Sequence, residues 1–263
     1  MSALLIGSLA FVGSVGGFFA GLLGFGGGVV MFPLLFYIPP LLGLERLDAK
    51  TVAAVVMTQV FFSTLIGGLA HLRSGRVHGR IALAAGITSA MGSFLGGVAS
   101  KWTSELFLLL LFGIATLLVL AMMLLPAPDR DLEKVSLEKL AVATLPLSLC
   151  SFATGILIGF LGAGNFVFVP LLIYILKVPT RIAIGSSLVI ALMNTAAGFL
   201  GKLATGQIPW LVAILVVIGA GIGALVGERV HRQLPTPMLR YVYATMVGLI
   251  ALRVWLTILD FHL

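Results

Sequence analysis

The stretch Gly17-Phe18-Phe19-Ala20-Gly21-Leu22-Leu23-Gly24-Phe25-Gly26-Gly27-Gly28, followed by Pro33, lies in a run from Ser2 to Leu44 that contains no Asp, Glu, Lys or Arg. A run that apolar can cross a bilayer, for which about 18 residues suffice. Consecutive glycines, however, extend a helix poorly, since each costs about 1 kcal/mol of helix propensity. Where a helix breaks within lipid, the freed N–H and C=O groups must be buried in protein or line a cavity. The stretch therefore predicts a helical membrane protein with a broken helix turned towards its interior.

The same pattern returns later in the chain. Gly17, Gly21, Gly24 and Gly26 recur with the spacing of Gly155, Gly159, Gly162 and Gly164, and Pro33-Leu34-Leu35 with Tyr37 recurs as Pro170-Leu171-Leu172 with Tyr174. The register holds downstream, where Thr64, Gly67, His71 and Gly75 match Thr195, Gly198, Lys202 and Gly206, and Gly92 and Gly96 match Gly223 and Gly227. Two transmembrane repeats are expected, 1–128 and 140–263, joined by a charged cytoplasmic linker, 129–139.

Composition agrees with this reading. Of 263 residues, 60% are apolar and only 10% charged, against roughly 25% charged in soluble domains. Further charge-free runs cover Thr51 to Leu72, Ile81 to Ser100, Leu106 to Pro128, Leu140 to Ile175 and Leu203 to Gly227. The predicted fold class is an all-α polytopic membrane protein of about ten helical segments in two inverted five-segment repeats. The segments are near 2–23, 29–43, 50–70, 81–100 and 106–125, then 140–161, 165–178, 181–201, 209–227 and 239–259. The second of each set is too short to span the roughly 30 Å hydrocarbon core, so glycine-broken or re-entrant short helices should lie near mid-membrane. The opening Met-Ser-Ala-Leu-Leu has no basic residue before the apolar run and reads as a first helix, not a cleaved signal.

The net charge of +7 reads as topology, not nucleic-acid binding, because the charges sit in short gaps between apolar runs. With an odd number of crossings per half, one side collects Arg73, Arg76, Arg80, Arg130, Lys134, Lys139, Lys177, Arg181, Arg229, Arg232 and Arg240. The other side has Arg46, Lys50, Lys101 and Lys202. Counting each broken pair as a single crossing removes this bias, so the positive-inside rule favours halves of opposite orientation with both termini outside the cytoplasm. Inverted halves with matching broken helices point to a secondary transporter whose site lies at the repeat interface.

Each break exposes the free N–H groups at the start of the following half-helix, a natural place for an anion, and glycine lets a ligand approach the backbone. Gly26, Gly27, Gly28, Gly164 and Asn165 are the expected backbone clamp. The third segment of each half supplies polarity through Thr58, Gln59, Ser63 and Thr64, then Ser186, Ser187, Asn194 and Thr195. Gln59, Ser63, Ser186, Ser187 and Asn194 are the substrate-lining candidates, with Gln59 and Asn194 costliest to bury unpaired. Gly13, Gly17, Gly92, Gly96, Gly155, Gly219, Gly223 and Gly227 read as close-packing positions. His71, Lys202 and Arg253 read as side chains snorkelling to headgroups; Lys101, Trp102, Trp210 and Trp255 read as interface anchors.

The acidic residues all fall in gaps or the tail, so no mid-membrane carboxylate is offered to a proton relay or cation site. Cys150 is the single cysteine and His71, His78, His231 and His262 lie outside the ten expected segments, in gaps or the tail. That leaves no thiolate cluster, no His-Glu-x-x-His and no nucleophile–base pair. No catalytic residue, metal site or cofactor is expected. The expected partners are a small anionic substrate and the lipid bilayer, with no nucleic acid; a homodimer is compatible with the glycine ladders.

The first glycine string with Pro33, its weaker copy from Gly155 to Pro170, and Ala183-Ile184-Gly185-Ser186-Ser187-Leu188 resemble the TauE/SafE sulfite exporter family, also called the 4-toluene sulfonate uptake permease family. The resemblance covers nearly the whole chain. It implies secondary transport of a small sulfur-containing anion such as sulfite, sulfoacetate or another organosulfonate across a bacterial inner membrane. Asn165 stands within the family's usual second glycine string, and Ala54-Val55-Val56-Met57 replaces its usual Gly-Thr-Ser-Leu. An anion channel, a permease for a non-sulfur anion and, more remotely, a membrane-embedded enzyme are the competing readings.

Overall fold

The computed structural model describes residues 3–23, 27–71, 79–124, 144–163, 165–175, 180–231, 233–234 and 236–260. The linker 129–139, Gly26, Gly164 and the side chain of His71 lie outside the described residues. Among the described residues there are ten α-helices and no strand: α1 Ala3–Leu23, α2 Gly28–Leu41, α3 Ala49–His71, α4 Gly79–Ala99, α5 Glu105–Leu124, α6 Thr144–Leu161, α7 Asn165–Pro170, α8 Thr180–Ala204, α9 Trp210–His231 and α10 Thr236–Asp260. These match the ten expected segments.

Five of the helices carry spans long and apolar enough to cross a membrane: Ile81–Trp102, Glu105–Met122, Ser186–Ala204, Trp210–Val230 and Tyr241–Asp260. The chain is an all-α polytopic membrane protein. Its helices are apolar on every side, so size distinguishes the faces. Leu211, Ile214, Ile218, Ile222 and Leu225 of α9 are exposed, while Ala213, Val216 and Ala220 are buried. Bulky side chains meet lipid and small ones meet other helices, as expected where close packing replaces the hydrophobic effect.

The small residues let backbones touch. A β-carbon on Gly13 of α1 would lie 2.7 Å from the Val216 carbonyl of α9, and Gly17 and Gly21 face Ala220 and Ala224 with no room for a side chain. In return Gly219, Gly223 and Gly227 abut Ala10, Ser14 and Phe18. Helices α4 and α6 are joined the same way, Gly92 and Gly96 against Phe152 and Ile156, and Gly155 and Gly159 against Ser89 and Ser93. These contacts bear out the packing role read for the glycine ladders.

Two local features depart from uniform α-helix. Helix α4 ends in a 3-10 turn, Ser100–Trp102. After Pro170, α7 widens into a π-helical turn, Leu171–Ile175; proline has no N–H and crowds the preceding turn, and a wider turn absorbs both effects. Helix α2 contains Pro33, Pro39 and Pro40. It closes at Gly43 (φ 72°), with Gly43 N–H donating to Pro40 O and Leu44 N–H to Pro39 O, both at 3.0 Å, a Schellman ending.

Candidate functional site

The two glycine breaks meet in the interior. Gly27 caps α2 with φ 65°, and its carbonyl accepts from Val30 and Met31 at 3.0 and 2.9 Å. Gly162 ends α6 with φ 70°. Both positions need the left-handed backbone that glycine adopts freely, and both are enclosed: a β-carbon on Gly162 would stand 2.6 Å from Met57 N, and one on Gly27 2.7 Å from Ala20 Cα. Gly28, at the head of α2, is packed on Ala163, with 2.9 Å from a hypothetical β-carbon to Ala163 Cα.

An aromatic stack braces this meeting point. Phe112 of α5 stacks on Phe32 of α2 at 4.6 Å between centroids and sets its edge against Phe166 of α7 at 6.1 Å. All three rings are buried, so the short helices α2 and α7 share one wedge.

Polar groups cluster beside the second break. Asn165, first residue of α7, is 9% exposed. Asn194 of α8, fully buried, donates through Nδ2 to Asn165 Oδ1 and to Ser89 Oγ of α4, both at 3.1 Å. The next residue of α8, Thr195, shares a hydrogen bond of 2.9 Å with Thr64 of α3. Asn194 Oδ1, Gln59 Oε1 and Ser93 Oγ are buried with no hydrogen-bond partner among the described residues. In a low-dielectric interior such groups are expensive unless a ligand or water reaches them.

The sequence candidates thus divide. Gly27, Gly28, Asn165 and Asn194 gather around the breaks. Gln59 is buried but bonds along its own helix, Nε2 to Ser63 Oγ at 2.9 Å. Ser186 and Ser187 are buried near the start of α8, about two turns before Asn194. Ser89 was missed, because a lone serine in an apolar helix carries no directional signal.

Lys202 is a correction. It was expected to snorkel, but it is fully buried and donates from Nζ to Ser100 Oγ at 2.8 Å and Phe160 O at 3.4 Å. The tightly turned end of α8 holds it inward: Gly206 (φ 67°) closes the helix, and Gln207 N–H caps the Lys202 carbonyl at 3.0 Å. Arg253 is exposed, with its guanidinium 5.0 Å from the Tyr37 ring centre. Trp102 and Trp210 are exposed as anchors would be, whereas Trp255 packs on Gly113 of α5 with Nε1 enclosed.

The protein is a polytopic helical membrane protein in which two interrupted helices meet beside buried amides. The chain belongs to the sulfite exporter TauE/SafE family, whose family model matches residues 9–254. Among curated relatives, a probable membrane transporter protein of Xylella fastidiosa (strain Temecula1) is 30% identical over 257 residues, 92% of this chain and 92% of the relative. A second from X. fastidiosa (strain 9a5c) is 31% identical over 232 residues, covering 82% and 83%. The probable membrane transporter protein YunE of Bacillus subtilis is 24% identical over 245 residues, covering 87% and 89%. No solved structure matches the chain. All three relatives are named probable membrane transporter proteins, and this chain, as a member of the family, is a membrane transporter and not an enzyme.

Proposed function

We propose that the protein is a secondary transporter that moves a small sulfur-containing anion, such as sulfite, sulfoacetate or another organosulfonate, across the inner membrane by alternating access. The observation that carries this reading is the junction of the two breaks, Gly28 against Ala163 with Asn165 bonded to Asn194. Backbone N–H groups at the heads of α2 and α7 suit an oxyanion, and the sulfur chemistry is the family's contribution. Gly26, Gly27, Gly28, Gly164 and Asn165 form the clamp in this proposal; Gln59, Ser63, Ser186, Ser187 and Asn194 complete the shell as the halves rock.

The reciprocal packing of α1 on α9 and of α6 on α4 supports two halves related by inversion, each hinged at its own break. An inside-negative potential contributes about 2.3 kcal/mol per charge per 100 mV towards expelling an anion, so export needs no mid-membrane carboxylate.

The experiment is thermal stabilisation of the purified protein by sulfite, thiosulfate, sulfate, sulfoacetate, taurine and aromatic sulfonates, followed by counterflow in proteoliposomes. A ligand of the folded state raises the melting temperature by mass action. A shift with a sulfur anion, together with saturable counterflow, supports the carrier. A shift only with carboxylates, metals or neutral solutes ends the sulfur-anion reading, and non-saturating flux without counterflow makes the protein a channel.

A further inference from the structure

Lys202 stands in an unusual place. Its ammonium has neutral oxygens for partners, Ser100 Oγ and Phe160 O, and no carboxylate among the described residues pairs with it. It lies where α4, α6 and α8 all end: Ser100 directly follows α4, Phe160 is in the last turn of α6, and Lys202 is in the last turn of α8. Helix C-termini carry partial negative charge, so three of them hold the cation in place while leaving its formal charge unmatched. Ser100 Oγ and the Gln207 amide bind one another and the Gly97 carbonyl at 2.7 to 2.9 Å, which fixes the hydroxyl presented to Nζ.

A polar seam leads from the breaks to this charge. Asn194, Gly198 and Lys202 follow one face of α8 at four-residue spacing, rising about 12 Å. They oppose Ser89, Ser93, Gly97 and Ser100 of the α4 side: Asn194 bonds to Ser89, Gly198 meets Ser93 Oγ 2.5 Å from a hypothetical β-carbon and Gly97 meets the Gly198 carbonyl, and Lys202 bonds to Ser100. Ser93, fully buried, leaves its hydroxyl unpartnered along the seam and able to donate to an anion. At its inner end stands Asn165, and Phe160 lies two residues before Gly162, so clamp and ammonium flank the same break.

We propose that the seam between α4 and α8, from the Asn165–Asn194 pair past Ser93 to Lys202, is a passage for a small oxyanion, with the Lys202 ammonium as its recognising charge. The inference rests on the anion-transport reading. When the seam opens, the anion exchanges the clamp's N–H groups for Ser93 Oγ and Lys202 Nζ, and Ser100 and Gln207 hold the ammonium in position between passages.

The test compares wild type with Lys202→Met and Lys202→Gln in proteoliposomes carrying radiolabelled sulfite, and by melting in sulfite, sulfate, thiosulfate or chloride. Both variants should fold, since an apolar or neutral side chain of similar length replaces a buried charge without penalty. Their sulfite KM should rise about tenfold or more, as when a buried charge contact is removed, and stabilisation by sulfite should vanish. Ser100→Ala, which keeps the charge and removes one of its two oxygen partners, should raise KM less than either Lys202 variant does. Saturable wild-type transport with unchanged KM in both variants overturns the passage and leaves the transporter reading standing. If wild type carries no sulfite, the sulfite reading fails; stabilisation by sulfate or thiosulfate that is lost in both variants then supports Lys202, and equal or no stabilisation overturns it. Failure of both variants to fold makes Lys202 structural and overturns the proposal.

Discussion

Asn194 in the middle of α8 donates to Asn165 at the head of α7 at 3.1 Å, although 29 residues separate them. The bond ties a broken helix to an unbroken one at the place where α7 begins. Asn194→Ala leaves Asn165 Oδ1 buried without its donor, which should cost about 1–3 kcal/mol of stability. Asn165→Leu should abolish stabilisation by any anion that the proposed clamp holds. Melting curves with and without ligand check both, and unchanged ligand stabilisation in Asn165→Leu would remove this residue from the clamp.

Gly162→Ala and Gly27→Ala combine a left-handed backbone with an enclosed β-carbon position. Each should destabilise the protein by about 1–3 kcal/mol and reduce transport further than stability alone explains. Gly43→Ala and Gly206→Ala share the positive φ but have nothing within 4 Å, so they should cost only the backbone strain, about 1–2 kcal/mol. Thermal melts of the four variants separate strain from crowding.

The packing glycines predict a sharp contrast. Gly223→Leu forces a side chain into the Ser14 carbonyl, whereas Gly221 and Gly248 face open space within the same kind of helix. Gly223→Leu should not yield folded protein. Gly221→Ala and Gly248→Ala should be neutral or stabilise by up to about 1 kcal/mol through helix propensity, as size-exclusion profiles and melting temperatures will report.

Thr64 and Thr195 bond across the α3–α8 crossing. Removing the pair with Thr64→Val and Thr195→Val should give a coupling near 0.6 kcal/mol, typical of hydrogen bonds between membrane helices. A double-mutant cycle on the melting free energies measures it, and a coupling indistinguishable from zero would mean that each hydroxyl is satisfied by its own helix.

Arg46 and Glu105 form an ion pair at 3.0 Å with side chains 45% and 24% exposed. Solvent screens such a pair, and Arg46→Gln should cost under about 1 kcal/mol. Any loss should shrink further in high salt, which a melt in about 1 M salt, with its Debye length near 3 Å, will show.

The order of apolar runs, the short second segment of each set and the two glycine breaks were all legible in the sequence, because lipid demands long charge-free helices and permits a break only where protein shelters it. Asn165 and Asn194 were legible as polar groups needing partners, and the structure brings those two together. Gln59 carried the same signal but bonds to Ser63 on its own helix. Which buried amide pairs with which depends on crossings between helices distant in the chain, and no local spacing encodes these.

The class of fold, the family and the places where the helices break can be read from the residues alone, since each follows from local composition acting on a backbone in lipid. Which face of each helix meets its neighbours emerges only from the packing of the helices. In helices apolar all round, hydropathy does not choose a face, and the choice falls to volume: glycine and alanine admit a neighbouring backbone while leucine and isoleucine face lipid. The same contest decided Lys202, a residue near a helix end whose length lets it snorkel outward. The Ser100 hydroxyl and the Phe160 carbonyl at the end of α6 supply oxygens inside the protein, and those partners hold the charge inward.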